Sequence, residues 1–267
     1  MPEFLEYSFM HRAFVAGAIT ALICPVIGVF LVPRRLSLIA DSLSHVALAG
    51  VALGLLIGVS PVLGAVGMER LRARGALQGD AALAVFLSGG FALAVVLISL
   101  AGGFNADLFA ILFGSILTVS PTDVWLILGL GAVVGVTIGT FYRQLLAITL
   151  NEDLARTSGV PVTGLNLLLT VLTALTTVVA MRMVGVLLVS AMIVIPTLTG
   201  FGLGRSFRQA TVIAIVMALT SMTSGLIAAY YLRLAAGGAV VLTALIIFAL
   251  ASLIRRAVVG ALREARP

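Results

Sequence analysis

Apolar runs of about 20 residues recur along this chain from one end to the other, and that is the length at which a helix crosses a bilayer. No run shows the sustained two-residue alternation of a membrane barrel strand. Lipid offers no partners for free backbone N–H and C=O groups, so helices are the spanning element the sequence predicts. Composition supports this. Hydrophobic residues make up 61% of the chain and charged residues 10%, against about a quarter charged in a soluble domain. The expected fold is an all-α, polytopic transmembrane bundle of eight or nine spans, forming a single domain over residues 1–267.

The spans read near 13–32, 39–59, 81–101, 122–142, 164–181, 183–200, 209–231 and 238–256. Arginine marks the cytoplasmic side. Its clusters are Arg34/Arg35, Arg70/Arg72/Arg74, Arg143 with Arg156, Arg205/Arg208, and Arg255/Arg256 with Arg263/Arg266. The loops around Asp107, Pro121 and Arg233 hold fewer arginines and read as outside. This places the N-terminus outside and the C-terminus in the cytoplasm. One region resists the pattern. Residues 36–69 lie between two clusters that both belong inside, yet they are fewer than the about 40 that two full spans need. Either two short, tilted helices turn at Ser60-Pro61, which is the favoured expectation, or a span is missing around 61–68.

Every basic residue is arginine. Without lysine there is no phosphate-binding P-loop and no lysine Schiff base, so any ATP hydrolysis belongs to another chain. The net charge of +6 fits cytoplasmic loops better than a nucleic-acid surface. Cys24 is the only cysteine, so no disulfide forms within the chain. Glu3 and Glu6 stand where a secretory signal would carry basic residues, so the first span is expected to stay in the mature protein.

Glycine recurs at every fourth position at Gly50, Gly54 and Gly58, and again at Gly131, Gly135 and Gly139. Such ridges let helix backbones approach closely in a membrane. The polar stretch 150–166 differs from its surroundings. Asn151 suits an N-cap, Glu152 and Asp153 suit a first helical turn, Gly159 can end a helix and Pro161 cannot continue one. A two-turn helix is expected there, either as an interfacial connector or as a surface that docks a partner.

Asp41 and His45 are the most informative residues. Ionisable groups inside a span are costly and mark function by default. Their spacing places them one turn apart on a single helix face, with Gly50 about 180° away. Oxygen and imidazole ligands suit Zn²⁺, Mn²⁺ or Fe²⁺ and suit Cu(I) poorly. The alternative is that Asp41 and His45 pair with each other near the headgroups behind Arg34/Arg35. Two ligands are an incomplete site, which a two-fold dimer would double to four. His11, beside Arg12, has no acidic neighbour at ligand spacing and reads as interfacial. Arg182 reads as an outside turn or a snorkelling span end, and Met181, Met183 and Met192 as packing. No serine nucleophile elbow or His-Glu-x-x-His motif is present.

The run Gly28–Gly54, GVFLVPRRLSLIADSLSHVALAGVALG, resembles the opening signature of the ABC-3 family, the permeases of zinc and manganese ABC importers. Leu112–Pro121 (LFGSILTVSP), Asn151–Pro161 and Val184–Pro196 (VGVLLVSAMIVIP) agree in the expected order. The resemblance implies an importer permease fold similar to the vitamin B12 and metal-chelate type. It implies a homodimer in a bacterial inner or plasma membrane, joined to two cytoplasmic ATPase subunits. A periplasmic or cell-surface binding protein would deliver the metal. It makes Asp41 and His45 the metal-binding pair, and it makes 151–159, with Asn151, Glu152, Asp153, Arg156 and Gly159, the coupling helix that docks on the ATPase. Members of that family usually have a full helix where residues 60–68 stand. The transported ion would be Mn²⁺ or Zn²⁺, with Fe²⁺ a third candidate, and the chain itself would catalyse no covalent step. Two rivals stand beside this reading. One is a secondary transporter or channel working without ATP; the other is a membrane-embedded hydrolase using Asp41 as an acid–base group.

Overall fold

Ser120 starts the best-defined long helix with a reciprocal cap. Its side chain accepts from Asp123 N at 3.2 Å, and the Asp123 carboxylate accepts from Ser120 N at 3.1 Å. Pro121 occupies the first turn, where a missing N–H costs nothing. The structure, a computed structural model, describes residues 8–36, 41–42, 44–46, 48–50, 53, 80–100 and 119–264. Every regular element among them is helical. The helices are α1 (Ser8–Leu31), α2 (Asp80–Leu100), α3 (Pro121–Leu150), α4 (Glu152–Thr157), α5 (Val162–Val184), α6 (Val186–Leu203), α7 (Phe207–Leu232) and α8 (Ala236–Glu264), with a 3-10 turn at Val32–Arg34 after α1.

Among the described residues, five helical stretches are long and apolar enough to cross a membrane: Phe9–Arg34, Pro121–Leu150, Val162–Met181, Phe207–Leu232 and Ala236–Arg256. Leu87–Leu100 and Leu188–Leu203 are shorter apolar helices. Where the structure describes them, the expected boundaries hold within about five residues except at α3, which runs to Leu150 rather than 142, and α8, which runs to Glu264 rather than 256. Its 30 residues span about 45 Å at 1.5 Å per residue, more than the about 30 Å hydrocarbon layer. Arg143 is therefore part of a helical extension, not a loop. The break between α5 and α6 falls at Gly185 (φ 87), three residues beyond Arg182. The expected hairpin at 60–68 lies outside the described residues.

α1 is the centre of the bundle and touches α3, α5, α6 and α7. Ile27, Phe30 and Leu31 on it are fully buried. Because lipid is as apolar as a leucine side chain, close packing rather than water exclusion must hold these helices together. α1 meets α6 at Gly28, where a β-carbon would overlap the carbonyl oxygen of Ile193 and the hydroxyl of Thr197. Three buried hydroxyls are satisfied along their own helices: Thr20, Thr173 and Thr197 each donate to the carbonyl four residues back, at 2.7 to 2.8 Å, whereas those of Thr176 and Thr177 find no partner among the described residues. At one end Phe30, Tyr142, Phe201 and Phe207 form an aromatic cluster. Ring centroids lie 5.4 Å apart for Phe30–Phe207 and 6.1 Å for Phe30–Tyr142. It joins the end of α1 and the Tyr142 turn of α3 to the turn between α6 and α7.

The second glycine ridge packs only in part. A β-carbon on Gly131 would lie 3.1 Å from Ile23 and 3.2 Å from Ile19, whereas one on Gly135 or Gly139 would meet nothing within 4 Å among the described residues. Fourth-position spacing keeps three glycines on one side of α3, but α1 crosses that side at Gly131 alone. Of the first ridge, Gly50 is buried and helical, and Gly54 and Gly58 lie outside the described residues.

Candidate functional site

All the described residues between 41 and 53 are helical, so Asp41 and His45 do share one face. His45 Nε2 lies 3.8 Å from Asp41 Oδ1. That is beyond hydrogen-bond distance, so the two side chains do not satisfy each other. Two donors each about 2.1 Å from a common first-row ion are separated by roughly 3–4 Å, and the observed gap fits that span. The Asp41 side chain is 40% exposed and that of His45 18%.

The other imidazole nitrogen, Nδ1, is buried and has no hydrogen-bond partner among the described residues. A buried polar atom in that state costs about 1–3 kcal/mol. The ring stands perpendicular to Phe91 with centroids 5.3 Å apart. α2 can come this close because residue 90 is glycine: a β-carbon there would lie 3.0 Å from Val46 N and 3.1 Å from the His45 carbonyl carbon. Ser42 and Ser44 are buried beside the pair. Among the described residues no group of three or more His, Cys, Asp or Glu side chains comes together.

The second expected feature is α4. Asn151 caps it, accepting from Leu154 N at 3.0 Å. Glu152 and Asp153 fill its first turn and Arg156 its last. Gly159, at φ 83, turns the chain away in a conformation that L residues avoid. Leu154 and the Arg156 side chain stay largely exposed. Beside them a groove of about 280 Å³ is lined by Arg156, Val160, Pro161, Val162, Thr163 and Gly164.

Sequence reasoning treated Arg34 and Arg35 alike, as markers of the inner side. The structure separates them. Arg35 is exposed in a left-handed conformation (φ 58). Arg34 turns inward, with its side chain 11% exposed, and pairs with Glu152 at 2.8 Å. It also donates to Asn166 Oδ1 at 2.9 Å. Glu152 in turn meets Arg156 at 3.3 Å. Nothing in the local sequence distinguishes the two arginines, because their partners lie more than a hundred residues away. Gly90 and Phe91 went unnoticed for the same reason. Met181 and Met192 are fully buried, as packing residues should be, and His11 is exposed near the start of α1. The side chains of Arg182 and Met183 lie outside the described residues.

Residues 6–255 match the ABC 3 transport family. The chain is 36% identical to the manganese transport system membrane protein MntC of Halalkalibacterium halodurans, over 93% of this chain and 88% of that protein. Among solved structures, PsaBC from Streptococcus pneumoniae in complex with a Fab superposes with a TM-score of 0.84 and 32% identity, covering 93% of this chain and 94% of that one. A metal-chelate type ABC transporter in an inward-facing conformation shares the fold, with a TM-score of 0.68 at 17% identity, over 91% of this chain and 85% of that one.

Proposed function

The chain belongs to the ABC 3 transport family, and from that premise we propose that it is the transmembrane subunit of an ATP-driven importer of a divalent metal, with Asp41 and His45 as ligands in the ion's path. The manganese in that relative's name supports Mn²⁺ as the cargo, with Zn²⁺ the alternative ion. The carrying observation is the 3.8 Å separation of a carboxylate oxygen and an imidazole nitrogen that do not satisfy each other. Such donors can replace part of a hydrated ion's shell.

Two copies of this single-domain, eight- or nine-span subunit would face each other and bring four ligands to the path. A binding protein outside the cell membrane delivers the ion, and two ATPase subunits bind on the cytoplasmic side. The polar, outward-facing α4 is the surface they engage. The arginine distribution supports a cytoplasmic position for α4, since Arg34, Arg143, Arg156, Arg205 and Arg208 gather at its end of the chain's spans. The N-terminus then lies outside and the C-terminus inside. ATP binding and hydrolysis on the partner shift the permease between outward- and inward-open states, and the chain's own task is to bind, pass and release the ion.

The test is uptake of Mn²⁺ and Zn²⁺ by proteoliposomes holding the permease, its ATPase and its loaded binding protein. Asp41→Ala and His45→Ala should each abolish ATP-dependent uptake while the complex still assembles. Normal uptake by both variants would remove the metal assignment, and uptake without ATP would remove the importer.

A further inference from the structure

We propose that Arg34 is the positioning residue through which the docking helix α4 acts on the metal-bearing segment; this rests on the importer reading above. Along the chain, α4 continues directly into α3 and α5, but the segment holding Asp41 and His45 follows the end of α1. α4 meets the turn at the end of α1, from which that segment leads on, through side chains. The Arg34 guanidinium donates from Nη2 to Glu152 Oε2 at 2.8 Å and from Nη1 to Asn166 Oδ1 at 2.9 Å. A planar fork holding two acceptors on two different elements fixes direction as well as distance.

Each end of this connection suits a transmitted displacement. On the outer side, the other Glu152 oxygen accepts from the exposed Arg156 at 3.3 Å, so a partner touching Arg156 acts on a residue already joined to Arg34. On the inner side, Phe30 stands one turn before Arg34 and is fully buried against Tyr142 and Phe207. The end of α1 is therefore braced, and a pull at Arg34 is carried into the helix end rather than lost in a loose loop. Arg34 precedes Asp41 by seven residues. The desolvated guanidinium is costly to hold in place without its acceptors, which sets Arg34 apart from Arg35 and from the other exposed arginines.

A clip that merely held α4 in place would lower ATP hydrolysis and transport together. A transmitting contact lowers the number of ions moved per ATP. The experiment uses the full complex in proteoliposomes with Mn²⁺-loaded binding protein, and measures radiolabelled Mn²⁺ imported and phosphate released together. Arg34→Gln should assemble and hydrolyse ATP at the wild-type rate, yet move at least about fivefold fewer ions per ATP, the lower end of typical coupling factors. Combined with Glu152→Gln, it should lose no more than the worse single variant, because both changes break one contact. Arg34→Lys should fall between, since an ammonium cannot serve Glu152 and Asn166 as the fork does. A wild-type ratio of ions to ATP in Arg34→Gln overturns the proposal, as does additive loss in the double variant. If Arg34→Gln does not assemble, a wild-type ratio in Arg34→Lys overturns it instead. A wild-type complex that imports no Mn²⁺ with ATP overturns the importer reading itself and is recognised before any variant is compared.

Discussion

Gly28 on α1 faces Ile193 on α6 across a gap that cannot hold a methyl group. The nearest obstacle to a β-carbon is the Ile193 carbonyl oxygen, and the second is the Thr197 hydroxyl, which is bonded to that same carbonyl at 2.7 Å. Gly28→Ala should force the two helices apart and destabilise the permease by about 1–3 kcal/mol, the usual cost of overpacking. Thermal unfolding in detergent reads this directly. Thr197→Ala should not rescue the variant, because a backbone carbonyl remains in the way. Full rescue would show that the hydroxyl alone sets the gap.

Gly89 and Gly90 are neighbours with opposite surroundings. A β-carbon on Gly89 meets nothing within 4 Å among the described residues, whereas one on Gly90 meets the backbone of His45 and Val46. Gly90→Val should displace α2 from His45 and cut metal uptake severalfold, while Gly89→Val leaves it within about twofold, as surface changes away from such contacts do. Equal uptake in the two variants would show that α2 has no part in positioning His45.

Asn151 and Gly159 bound a helix of six residues, too short to be stable on propensity alone. Asn151→Ala removes the cap and should cost about 1 kcal/mol, which corresponds to roughly fivefold weaker ATPase binding. Asn151→Ser keeps an acceptor and should bind nearly as the wild type. Gly159→Ala places an L residue at φ 83 and should cost about 1–2 kcal/mol. Titration of the ATPase subunit against permease in detergent orders the three.

On α3, Gly131→Leu should disturb packing against Ile19 and Ile23, whereas Gly135→Leu should be tolerated by the folded subunit. Detergent stability of the isolated permease checks this, and equal losses would mean that both glycines are packed.

The bundle was legible because lipid imposes one rule on every span: about 20 apolar residues, internally hydrogen-bonded. The short helix α4 was legible because caps are local. Asn151, Glu152 and Gly159 act within one or two turns of themselves, so their order along the chain carries the whole signal. Asp41 and His45 were legible as neighbours on one face for the same reason. What escaped was everything set by distant partners. Arg34 and Arg35 are identical in type and adjacent, and only the fold brings Glu152 and Asn166 to one of them. Gly90 looked like any glycine in an apolar run until α2 was placed against His45. Of the ridge at Gly131, Gly135 and Gly139, only Gly131 meets another helix among the described residues, because spacing defines a face but not where another helix crosses it.

Asp41 and His45 stand 3.8 Å apart, too far to hydrogen-bond, and no third His, Cys, Asp or Glu joins them among the described residues of one copy. In the proposed dimer, an ion's hold then depends on how many copies reach it at once. Four donors can capture it, and a small separation of the copies leaves two, which hold it weakly. Coordination number would itself be the variable that the cycle of opening and closing changes, so that release requires no competing ligand and no change of protonation.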